Sequence, residues 1–146
     1  MKMNTKFIAF AFTTALAASG VAFAAEQEKM DMGDLSVSAK DQDTSGGTVT
    51  ADKIMAAANG WLVVHRTDAE MKPGPVIAYA PLKKGENNEV SAILTERVAK
   101  GDKLMFMLHG EEGGMKTGIF EYTLGAKEDG PVKVDGKLVM TVINAE

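Results

Sequence analysis

The chain has 146 residues, 16 basic and 20 acidic side chains, a net charge of −4 and no cysteine. That length suits one domain with a substantial core. Without cysteine there is no disulfide, no thiolate nucleophile and no thiolate metal site. Charges of both signs are interspersed without a basic stripe, which argues against nucleic acid or anionic lipid as partners.

The N-terminus carries Lys2 and Lys6 ahead of an apolar run from Phe7 to Phe23, and Ala22-Phe23-Ala24 follows the small-x-small rule. A positive segment, an apolar segment and such a site predict a signal peptide over residues 1–24, cleaved after Ala24. No cysteine follows to take a lipid, and no second apolar stretch approaches the length of a membrane span. The expected location is therefore periplasmic or secreted. Cleavage removes two of the 16 basic residues and none of the 20 acidic ones, so the mature domain becomes more acidic. Of ten methionines, Met1 and Met3 leave with the signal, and the mature chain stays methionine-rich.

Residues 25–33 (AEQEKMDMG) are polar and lack strand alternation, so they read as a flexible arm. From Leu35 the chain breaks into short runs of strand period separated by turn residues. Leu35, Val37 and Ala39 alternate with polar residues, and TVTA follows the turn residues of DTSGG. Then come WLVVHR, VIAYA, EVSAILTERV after Asn87-Asn88, KLMFMLH, TGIFEYTL, and KLVMTVIN after Asp135-Gly136. One patch, DKIMAAAN, has helical spacing but is too short for more than a strand extension or a single turn. Residues 34–146 are thus expected to form a single all-β domain, an antiparallel β-sandwich of about seven or eight strands, immunoglobulin-like or cupredoxin-like. Trp61–Val64 and Leu138–Ile143 are apolar on both faces and are expected at the centre of a sheet. Phe120, Tyr122 and Leu124 alternate with Ile119, Glu121 and Thr123 as on a strand with one solvated face. Trp61 and Tyr122 are the natural large core pieces.

At GWLVVHRTD, GPVIAYAPL, KLMFMLHGEEGG, GIFEY and GPVKVDGKLVMT the chain resembles a domain of unknown function found in exported bacterial proteins and haloarchaeal surface proteins. The likeness runs over about residues 34 to 143. It implies an extracytoplasmic β-sandwich and no established activity. The methionine enrichment, with Met30-Asp31-Met32 in the arm, departs from that pattern.

Catalytic signatures are sparse. There is no Gly-x-Ser-x-Gly elbow, and Gly113-Gly114 lacks the Lys-Ser/Thr of a phosphate-binding loop. Glu111-Glu112 reads as a solvated turn. Asp41, Asp43, Ser45, Gly46 and Asp52 follow calcium-loop spacing, but both flanks read as strands where that motif needs helices. The principal expectation is a non-enzymatic envelope module that binds a partner or serves as structure, with a hydrolase as the most distant reading.

The second reading is a copper-binding protein. On a strand, alternate residues share a face, so Met105, Met107 and His109 project together, as do Trp61, Val63 and His65. If the two strands are neighbours, His65, His109, Met107 and Met105 form a soft nitrogen–sulfur set, with Met71 or Met115 from nearby loops. Imidazole and thioether suit copper, and Trp61 would shield Cu(I) by a cation–π contact. The competing reading makes both methionines packing residues.

Overall fold

The computed structural model describes residues 34–146; the expected signal peptide and arm lie outside that range. Among the described residues there is no α-helix, and no helix long and apolar enough to cross a membrane.

Two antiparallel sheets face each other. The first has the order β1 (Ser36–Ser38), β2 (Thr48–Ala56), β5 (Gly85–Ile93). The second has the order β4 (Val76–Leu82), β3 (Gly60–Thr67), β6 (Lys103–Gly110), β9 (Met140–Asn144). A small hairpin of β7 (Lys133–Val134) and β8 (Lys137–Leu138) turns at Asp135 and Gly136, both with positive φ, as the tight turn of a right-twisted hairpin demands.

The main core fills the space between the sheets. Val49, Ala51, Ile54 and Ala56 of β2 face Leu62 and Val64 of β3, Leu104, Phe106 and Leu108 of β6, and Ile143 of β9. The inward side of β2 switches between Ala51 and Ile54, beside Glu89 of β5, whose φ is 49°. Inward residues three apart imitate helical spacing, which is why DKIMAAAN looks helical although its first half extends β2.

Three strand expectations need correction. Asn87 and Asn88 lie inside β5, where Asn87 pairs with Ile54 of β2, so the polar pair marks an edge strand rather than a turn. Leu138–Ile143 is not central: it is broken at Val139, and β9 is an edge strand of its sheet. TGIFEYTL forms no strand at all. It belongs to a long loop, residues 111–130, that folds across the outer face of the second sheet.

That loop gives the molecule a second apolar layer. Trp61, Val63, His65, Met105, Met107 and His109 point away from the main core, yet all are buried. Phe120 and Tyr122 come down on them from the loop. Gly60 lies where a Cβ would strike the carbonyl of His109, so only glycine lets β3 and β6 approach this closely there.

Candidate functional site

The second sheet sets the site by register. In the β3–β6 pair, His65 stands opposite Met105, Val63 opposite Met107, and Trp61 opposite His109. The two histidines therefore lie at opposite ends of a three-pair stretch, and Val63 with Met107 occupies the middle. Their rings lean toward each other along the strands, bringing His65 Nε2 to 3.4 Å from His109 Nε2. The ring centroids are 5.5 Å apart, more than the nitrogen gap by about the width of one imidazole. The rings thus meet end to end rather than face to face. Both residues are completely buried.

Each far nitrogen is fixed by a backbone carbonyl. His65 Nδ1 donates to Gly74 O at 2.8 Å, and His109 Nδ1 donates to Asp129 O at 2.6 Å. Carbonyl oxygen can only accept, so both Nδ1 atoms carry hydrogen. A neutral imidazole then has a bare lone pair on Nε2, and here two lone pairs face each other. Burial lowers both histidines below their ordinary value, His109 to about 4, with the neighbouring His65 pushing the same way. Burial thus works against a charged, proton-bridged pair. Two buried acceptors aimed at one another are costly unless a cation sits between them.

The carbonyls are held in place by local structure. Beyond β3 the chain loops back, with Arg66 N donating to Pro75 O and Gly74 N donating to Arg66 O. A Cβ on Gly74 would come within 2.7 Å of Arg66 O, so glycine is required for that fold-back. On the other side, Asp129 is fully buried with a φ of 46°. Its carboxylate accepts the amides of Glu112 (3.2 Å) and Glu121 (2.7 Å), and its own amide donates to Glu112 O. Asp129 thus ties both ends of the loop together while presenting its carbonyl to His109.

Tyr122 covers the pair. Its ring lies edge-on to both imidazoles, with centroids 4.6 Å from His109 and 5.9 Å from His65. The sequence assigns the shielding role to Trp61, whereas Trp61 packs against Tyr79 and Phe120 to one side and donates from Nε1 to Glu111 Oε2 at 2.8 Å.

Among the four candidate ligands, the two histidines meet, and Met105 and Met107 share their sheet face, buried, in the register given above. Met71 and Met115 do not join them: they are 55% and 90% exposed on loops. No third His, Asp or Glu gathers with the pair among the described residues. Asp41 accepts from the backbone and side chain of Asn144, and Asp43 caps Ser45, so the calcium-spaced loop spends these carboxylates on its own backbone and on β9. Gly74, Tyr122 and Asp129 were not visible as site residues in the sequence. Only the positions of turns around them could have hinted at a role.

The profile of a domain of unknown function, DUF7282, matches residues 35–146. The chain belongs to that family. No curated protein and no solved structure matches it. In this DUF7282 domain the buried histidine pair is thus read from its own geometry.

Proposed function

We propose that the domain is an exported, non-enzymatic metal-binding module that holds a single Cu(I) between His65 and His109. The supporting observation is the pair of Nε2 atoms, 3.4 Å apart, their rings fixed by carbonyls behind and closed from water. Two such nitrogens can each lie about 2.0–2.1 Å from one ion set slightly to the side of the line between them. In the register, Met107 with Val63 stands between the positions of the two histidines. Thioether selects a soft ion, and a buried set with no carboxylate suits a singly charged one. Zinc would demand four ligands, and among the described residues no group of three His, Cys, Asp or Glu side chains gathers. The signal-like segment over residues 1–24 supports a setting outside the cytoplasm, and a buried pair with no nucleophile beside it supports a carrier or buffer rather than an enzyme.

Metal analysis and competition with a chromogenic Cu(I) chelator under reducing conditions test the reading. One Cu(I) per chain is expected, with His109→Ala and Met107→Leu each weakening binding by more than about tenfold. Met107→Leu is nearly volume-neutral and should cost less than about 1.5 kcal/mol of stability. An unchanged titration in a folded His109→Ala variant would overturn the proposal.

A further inference from the structure

A separate pocket of about 590 Å³ opens beside the histidine pair, at the β3–β4 edge of the second sheet beneath the 111–130 loop. Its wall is aromatic: Trp61, Tyr79 and Phe120 stand together, with centroids 4.5 Å apart for Tyr79–Phe120 and 5.4 Å for Trp61–Phe120. Pro81 and Ile119 extend the apolar lining. Tyr79 is 49% and Ile119 53% exposed, whereas Trp61 is only 6% exposed behind them, so Tyr79 and Ile119 form the open part of the wall. The volume is that of a small-molecule site.

One carboxylate enters this apolar wall. Glu111 is aimed by the Trp61 indole N–H, which engages only Oε2. Among the described residues no lysine or arginine forms an ion pair with Glu111, although exposed Lys83 also borders the pocket. The hydrogen bond to a carboxylate enriches the indole π-system, so the carboxylate and the ring face attract the same kind of group. Aromatic faces such as that of half-exposed Tyr79 bind organic cations through their quadrupole. We infer that this pocket binds a small organic ammonium ion, its methyl or methylene groups against the exposed Tyr79 and Ile119 and its charge beside Glu111, which the Trp61 indole orients. The inference does not rest on copper, because it uses neither histidine.

Trp61 is the sole tryptophan, so its indole N–H resonance reports directly on the pocket of the metal-free domain. Choline should produce a saturable shift at constant ionic strength. Its neutral carbon isostere, 3,3-dimethylbutan-1-ol, should bind about tenfold more weakly. Glu111→Gln keeps an acceptor for the indole and should weaken choline by roughly tenfold while sparing the alcohol. Tyr79→Leu, at a half-exposed position, should weaken choline without unfolding the domain. Equal binding of choline and its isostere would overturn the inference. So would tighter binding of 3,3-dimethylbutanoate, which would give the leading role to Lys83, or the absence of any saturable shift.

Discussion

His109 is neutral at pH 7 because burial opposes its charged form and His65 faces it. That arrangement ties the stability of the metal-free domain to pH. In the unfolded chain a histidine titrates at its ordinary 6.5, whereas folded His109 titrates at about 4. Between those values the unfolded state binds the extra proton, so stability is full above about pH 6.5 and is lost as pH falls toward 4. His65, lowered for the same reason, adds to the loss. Urea denaturation at pH 7 and pH 4.5 should differ by about 2–3 kcal/mol from His109 alone. Most of that difference should vanish in His109→Gln. Equal stability of the native domain at the two pH values would show that the pair is not held neutral.

At the scale of elements, the 111–130 loop does what a strand does elsewhere in the sandwich: it covers an apolar face. It lacks the ladder of a strand, and Asp129 supplies the missing amide acceptors instead. Asp129→Ala removes two charge-assisted bonds and leaves alanine at positive φ, which should cost about 2–4 kcal/mol. Asp129→Asn tolerates that φ and keeps one acceptor oxygen, so it should cost about 1 kcal/mol. Hydrogen exchange distinguishes local from global damage. The amides of Glu112 and Glu121 should exchange faster in both variants, while those of Leu62 and Phe106 in the central strands stay protected in Asp129→Asn. Uniform acceleration would mean that the loop is not a separate unit. The sequence misreads this element for a definable reason. Alternation at Phe120 and Tyr122 reports only that alternate side chains face one apolar surface, and a loop laid flat on a sheet satisfies that as well as a strand. The edge position of β9 was equally hidden: only Ile143 of that strand is buried, and an apolar run does not report which of its residues a neighbour covers.

Over the whole molecule, two apolar layers share the β3–β6 pair. The inner one, between the sheets, holds Phe106 with no exposed surface; the outer one lies under the loop. Phe106→Ala should therefore lower global stability by about 3–5 kcal/mol, a large share of the margin of a disulfide-free domain, as read by urea denaturation. A loss under about 1 kcal/mol would place the cooperative core elsewhere. The sequence by itself determined the all-β class, most of the strands and the faces they present, because side-chain alternation is a local property of extended backbone. It also placed Met105, Met107 and His109 on one face of their strand and His65 with Trp61 on one face of another, without telling which faces point away from the main core. What only the tertiary structure decided is that those two strands are neighbours and that their register puts Met107 between the histidines. It alone aims the carbonyls of Gly74 and Asp129 at the far ring nitrogens. Pairing, register and loop closure depend on residues far apart in the chain, and no local pattern encodes the meeting of two lone pairs.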